Sequence, residues 1–283
     1  MSTPLRIAVV YPDLLGTYGD GGNGLILARR ATWRGTEVVL TQAASDAALP
    51  EADIYCLGGG EDGPQVRAAQ SLIADGTLAR RVAEGAVVLA VCAGYQIVGK
   101  SFPGADGTVH EGVGLLDLAT VKGSGPRAVG EVVGVAPEEA VVRVPTMTGF
   151  ENHGGRTTLG PGVAPLTRVT RGVGNGDGSE TEGAVAGRVL GTYLHGPVLA
   201  RNPAVADLLL GWALETDSIP SALDDRAADA LRAERLAAAG INVGVGHGDA
   251  HDVGHADGSA NGSGGRPSRR AGRRGRLRRR SRG

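Results

Sequence analysis

Cysteine is nearly absent: Cys56 and Cys92 are the only two in 283 residues, which excludes a disulfide framework. Aromatic residues make up only 3% of the chain, so a core must rest on Val, Leu, Ile and Ala. No apolar run approaches the length of a transmembrane helix. Met1 to Pro4 lead straight into a strand-like run, Arg6 to Val10, and nothing there reads as a signal peptide. These shortages point to a cytoplasmic protein with reduced thiols, built as one large or two modest domains.

The formal net charge is only −1, but it conceals two unlike parts. Ten arginines and no acid lie between Arg266 and Arg282, leaving 19 basic against 30 acidic residues and a charge of −11 on the remainder. The stretch from Val243 to Gly265 is rich in Gly, His, Asp and Ser and has almost nothing to bury. Residues 1–242 are therefore read as the folded domain, and residues 243–283 as a disordered tail. The tail's arginines suit nonspecific contact with nucleic acid, anionic lipid or an acidic partner. His247, His251 and His255 recur every four residues, but flanking glycines argue against a helix that would align them on a metal.

Within the body, strands are expected at Arg6–Tyr11, Thr36–Thr41, Asp53–Leu57 and Ala86–Val91. Helices are expected at Gly24–Trp33 and, as one element, Pro64–Glu84. This alternation implies an α/β, doubly wound, mostly parallel sheet with flanking helices. From Leu115 to Leu166 short β-branched runs (Ala119–Val121, Val129–Val135, Ala140–Val144) suggest antiparallel strands. Ala184–Tyr193 reads as one further buried strand. Helices follow from Asn202-Pro203 to Trp212 and from Asp224 to Ala239, where Gly240 stops the last one.

Two phosphate-loop patterns occur and fail on context. Gly94-Tyr-Gln-Ile-Val-Gly-Lys-Ser101 fits G-x-x-x-x-G-K-S, yet Phe102-Pro103-Gly104 follows at once and cannot sustain the helix that motif must open. Lys100 is instead expected at the C-terminus of a helix. Gly19 to Gly24 fits G-x-G-x-x-G but begins several residues after its strand, where a dinucleotide fold needs it at once.

The residues that carry chemistry fall at strand ends. Cys92 sits in A-V-C-A-G-Y-Q, after a buried run and between the small residues Ala90 and Gly94, as a sharp strand-turn-helix elbow requires. A following helix would aim its amides at the sulfur and favour thiolate. Gly58-Gly59-Gly60 ends the third strand, and His195 follows the late one in G-T-Y-L-H-G-P. A thiol, an imidazole base and close-approaching amides suit acyl transfer through a thioester.

The elbow, the L-G-G-G-E-D loop and Y-L-H-G-P together resemble the class I glutamine amidotransferases of the cobyric-acid-synthase-like branch. Y-G-D-G-G-N (Tyr18–Asn23) and G-F-E-N-H-G-G-R-T (Gly149–Thr157) are similar to the glutaminase subunits of lipid II isoglutaminyl synthases. The resemblance covers roughly residues 5–240. It implies Cys92 as nucleophile, His195 as base, amides of the Gly59-Gly60 loop and of Ala93 as the oxyanion hole, and Arg127 as the ligand of substrate glutamine. It implies no cofactor in this chain; ATP and Mg belong to a Mur-ligase-like partner, MurT, that would amidate lipid II in a heterodimer. Many class I enzymes carry an acid two residues after the histidine, where Pro197 stands here. Asp20, Glu61 and Glu151 are candidates to replace it, with Asp20 favoured because its loop belongs at the same sheet edge. An amidotransferase for another carboxylate, such as a cobyric-acid-type corrin, and a cysteine peptidase-like enzyme on a similar fold remain open readings.

Overall fold

A computed structural model describes residues 3–215 and 221–241; the tail and its histidines lie outside the described residues. The chain runs β1 (Leu5–Val10), α1 (Gly22–Trp33), β2 (Val38–Ala43), β3 (Ile54–Leu57), α2 (Asp62–Asp75), α3 (Thr77–Ala83), β4 (Val87–Val91) and α4 (Ala93–Ile97). There follow β5 (Ser101–Pro103), β6 (Val109–Glu111), β7 (Leu118–Lys122), β8 (Ala128–Val135), β9 (Met147–His153), β10 (Gly155–Leu159), β11 (Thr167–Arg171) and β12 (Thr181–Glu182). The last elements are β13 (Ala184–Ala186), β14 (Val189–Thr192), α5 (Val198–Arg201), α6 (Pro203–Leu214) and α7 (Arg226–Ala238).

Six strands form one sheet in the order β13-β14-β4-β3-β1-β2, parallel except for the β13–β14 pair. Every residue of β3 and β4 is buried, which is why they read as continuous apolar runs: helices cover both faces of a parallel sheet. Register brings Val10, Leu57, Val91 and Thr192 to the carboxyl edge together, since Val10 pairs with Leu57, Leu57 with Ala90, and Thr192 with Val91. The loops that follow these strands therefore emerge side by side. Two smaller sheets, β10-β7-β5-β6 and β12-β11-β8-β9, are almost wholly antiparallel and come from the insert between α4 and β13.

Four expectations need correction. The helix expected over 64–84 is broken by Gly76, whose φ of 72° ends α2 in a left-handed cap and starts α3. Ala140–Val144 forms no strand: Val142 and Val144 are buried as alternation predicts, but Pro137 and Pro145 bracket the segment, which is irregular and bent at Val141-Val142. The run expected as one strand over 184–193 is a hairpin, folded at Gly187 with φ of 55°. Lys100 lies beyond α4, which ends at Ile97; its amide bonds Leu118 O and its Nζ lies 2.6 Å from Asp117 Oδ1. Lys100-Ser101 thus leads into β5 and opens no helix.

Candidate active site

Cys92 occupies the turn between β4 and α4 with φ 53° and ψ −103°, a conformation that non-glycine residues rarely adopt. Hydrogen bonds hold the turn on both sides: the Cys92 amide donates to Thr192 O at 2.8 Å, and the Gly94 amide to Gly58 O at 3.1 Å. Gly94 is required by space, because a Cβ there would stand 2.7 Å from Leu57 Cβ. The helix behind the sulfur is only five residues long, so its dipole is smaller than the elbow motif suggests. Cys56, by contrast, lies within β3, and burial alone pushes its thiol up to about 12.

His195 follows β14 and is buried, with its backbone bridged to Phe150 of β9 (N to O, 2.9 Å). Its Nδ1 lies 2.8 Å from Asp20 Oδ2, in the loop after β1. Burial would lower the imidazole pKa, but the hydrogen bond to Asp20 and the nearness of Cys92 and the Asp20 charge outweigh it and push His195 up to about 9. Nε2 is buried and has no hydrogen-bond partner among the described residues. The Tyr18 ring packs on the imidazole with centroids 4.5 Å apart. A Cβ on Gly59 would stand 2.7 Å from His195 Cε1, so only glycine admits the ring there.

A cleft of about 240 Å³ opens on the sulfur, and its lining includes Cys92, Ala93, Gly60, Gln96, His153 and Arg127. The amides of Gly60 and Ala93 donate no hydrogen bond within the described protein, and both residues face this space. The Gly59 amide does not: it donates to Asp20 Oδ2 at 3.0 Å, which removes Gly59 from the oxyanion pair expected for the loop. Arg127, just before β8, projects from the insert and is tied to Asn152 of β9. Its Nε donates to Asn152 Oδ1 at 2.5 Å and a terminal nitrogen to Asn152 O at 2.8 Å.

Neither of the other acids considered for His195 reaches it. Glu61 is exposed at the start of α2. The buried Glu151 accepts from the amides of Val173 (2.8 Å) and Gly174 (2.9 Å) and lies 3.3 Å from His153 Nε2. Three contributors escaped the sequence reading. Gln96 stands one helical turn after Cys92, where i, i+4 spacing could have flagged it; it accepts from Gln65 at 2.8 Å and donates to Tyr193 Oη at 3.2 Å. Asn152 was visible only as part of a motif. Glu182 is buried beside β14, where its Oε1 accepts from Thr192 Oγ1 and the Tyr193 amide, both at 2.7 Å. Burial pushes that carboxyl up to about 7.

A strained cysteine on a strand-to-helix turn, a buried His–Asp pair beside it and an arginine at the far wall are the groups that thiol-dependent acyl transfer would use, here set on a doubly wound sheet. Residues 6–203 match the CobB/CobQ-like glutamine amidotransferase domain, and the chain belongs to that family. It is 38% identical over 211 residues to the lipid II isoglutaminyl synthase (glutamine-hydrolyzing) subunit GatD of Staphylococcus aureus, covering 74% of this chain and 84% of that protein. Identity to the subunit of the same name from Streptococcus pneumoniae is 35% over 219 residues, covering 75% and 81%. Among solved structures, PurLQS from Thermotoga maritima matches with a TM-score of 0.50 at 21% identity, covering 75% of this chain and 94% of that one, a likeness of fold.

Proposed function

We propose that this chain is the glutaminase subunit of a two-protein lipid II isoglutaminyl synthase. One cleft joins the Cys92 sulfur, two undonated amides and Arg127, and that juxtaposition carries the reading. The α-carboxylate of glutamine pairs with the Arg127 guanidinium, leaving the side-chain amide at the sulfur. With its pKa raised to about 9, His195 holds a proton through neutral pH, which suits the thiolate that the first step requires. The thiolate adds to the amide carbon, and the carbonyl oxygen takes up negative charge against the amides of Gly60 and Ala93. His195 gives its proton to the departing nitrogen, the C–N bond breaks, and ammonia leaves a γ-glutamyl thioester. The now neutral imidazole takes a proton from water, the hydroxide adds to the thioester, and glutamate departs from the regenerated sulfur. Asp20 holds the imidazole by Nδ1 so that Nε2 faces the reaction, the orienting role left open by Pro197.

The ammonia passes to a Mur-ligase-like partner, MurT, which uses ATP and Mg to amidate the D-glutamate α-carboxyl of lipid II to D-isoglutamine. Similarity to the two GatD subunits over most of their length supports this acceptor. No helix among the described residues is long and apolar enough to cross a membrane; it is the lipid II acceptor that supports a site of action in the cytoplasm, at the inner face of the membrane. The test measures glutamate release, and D-isoglutamine formation with the partner, ATP and lipid II. Glutamine-dependent amidation is expected; a wild-type pair that releases no glutamate from glutamine would sink the reading.

A further inference from the structure

Recognition and reaction lie on different sheets, yet a single chain of contacts joins them. Arg127 pins both oxygens of Asn152. A guanidinium has no acceptor, so the Asn152 side-chain oxygen must face it and the amide nitrogen must point away. That nitrogen donates to Tyr18 Oη at 3.1 Å, and the Tyr18 ring lies on His195. Tyr18 belongs to the same loop as Asp20, which holds the other side of the imidazole. On β9, Asn152 is two residues from Phe150, whose backbone pairs with that of His195. The strand therefore reaches His195 by two routes, one through backbone and one through Asn152 and Tyr18. No other polar side chain links Arg127 to the base among the described residues.

From this geometry we infer that Asn152 and Tyr18 are positioning residues for the glutamine site: Tyr18, packed on His195, anchors Asn152, and Asn152 holds Arg127. The inference rests on the glutaminase reading above. Arg127 is exposed, and a long exposed arginine left alone samples many rotamers. Asn152 holds it in the orientation that meets the substrate carboxylate.

The experiment is glutamine hydrolysis by the full chain with its partner. Asn152→Ala is expected to raise KM for glutamine about tenfold while kcat falls no more than about threefold, the pattern of lost substrate positioning. In an Arg127→Ala background the same change should add less than about twofold to KM, because the pin then has nothing to hold. Tyr18→Phe keeps the ring on His195 and loses only the hydroxyl; it should raise KM about threefold and leave kcat intact. Alkylation of Cys92 by iodoacetamide, which bypasses glutamine recognition, should proceed at the wild-type rate in Asn152→Ala. If that rate collapses, the substitution has disturbed the fold, and Tyr18→Phe decides by the same KM criterion. Wild-type KM in both variants, or an undiminished Asn152→Ala effect without Arg127, overturns the positioning role. A wild-type complex that turns over no glutamine overturns the glutaminase reading and this inference with it, so the two failures are distinguishable.

Discussion

The two halves of the site are built by different means. The parallel sheet supplies Cys92, His195, Asp20 and the glycine loop from the ends of β4, β14, β1 and β3, which register holds at one edge. The antiparallel insert supplies Arg127 and Asn152 from β8 and β9 and the turn before them. Reacting groups need fixed separations, and buried strands with interlocked loops provide them. A substrate clamp must admit and release a free amino acid, and an exposed side chain tethered by hydrogen bonds suits that. This contrast makes a kinetic forecast: damage on the parallel side lowers kcat, and damage on the insert raises KM.

The largest effect is expected at the elbow. Cys92→Ser keeps the shape but replaces a sulfur nucleophile by a poorly ionising hydroxyl. Glutaminase kcat should fall by about 10³-fold or more, read as glutamate release per complex. Activity near wild type would remove the nucleophile from Cys92 and dissolve the distinction between the halves.

Asp20→Asn comes next and sharpens it. A neutral amide in place of the carboxylate removes the charge and weakens the hydrogen bond that raise His195, so kcat should drop about 100-fold. The pH profile carries the signature. With Asp20 present, activity should decline at the alkaline end as the imidazolium loses its proton near 9; without it, that limb moves toward lower pH. The same raised pKa stabilises the fold fully below the ordinary histidine value of 6.5 and is lost as pH climbs through about 9. An unmoved alkaline limb in Asp20→Asn would show that Asp20 does not govern the ring.

The contrast also explains what the sequence disclosed. β3 and β4 were legible because burial on both faces leaves unbroken apolar runs, and β1 because Arg6 alone interrupts its own; Cys92 and His195 stood out as candidates by following such runs. Asp20 could be favoured because glycine-rich loops after parallel strands gather at one edge. The insert was harder. Its short strands are told apart by turns and prolines, so Ala140–Val144 mimicked a strand while only Val142 and Val144 were packed. Arg127 was visible through resemblance alone, since an arginine before a strand has no periodic signal. Asn152 and Tyr18 lie far apart in the chain and meet only once the insert folds over the sheet. The Gly59 amide looked available for an oxyanion because nothing local reveals that Asp20 takes it.

On the insert side, Arg127→Ala should raise KM for glutamine by about tenfold or more, for the loss of a charge-assisted contact, with kcat changed far less. Steady-state kinetics over a wide glutamine range separate the two. A fall confined to kcat would place Arg127 with the reacting groups and break the division of labour.

Glu182→Gln tests the support beneath β14 through stability. Burial pushes this carboxyl from 4.5 up to about 7, so the native state holds its proton more tightly than the unfolded chain. Stability should therefore decline as pH rises from about 4.5 to about 7, by about 3 kcal/mol in total. The glutamine variant should lose that slope while its amide oxygen still accepts from Thr192 and Tyr193. Denaturant unfolding at pH 5 and pH 8 reads the difference directly. A variant with the wild-type slope would mean that Glu182 ionises in the fold much as it does outside it.

The smallest functional effect is expected at Cys56, and it isolates what makes Cys92 different. Both thiols are buried, 3% and 6% exposed, one within β3 and one just past the end of the neighbouring β4, so burial does not separate them. Cys56 sits in regular strand among apolar neighbours, where nothing offsets desolvation and the thiol is pushed up to about 12. Cys92 stands one residue past its strand, on a left-handed turn, with an imidazole beside it. Cys56→Ala should leave kcat and KM unchanged and cost about 1 kcal/mol of stability for a lost buried sulfur. A neutral alkylating agent should modify one thiol per native chain, counted by mass spectrometry, and none in Cys92→Ser. Two modified thiols in the native protein would show that position on the elbow, rather than membership of the parallel core, is not what sets reactivity here.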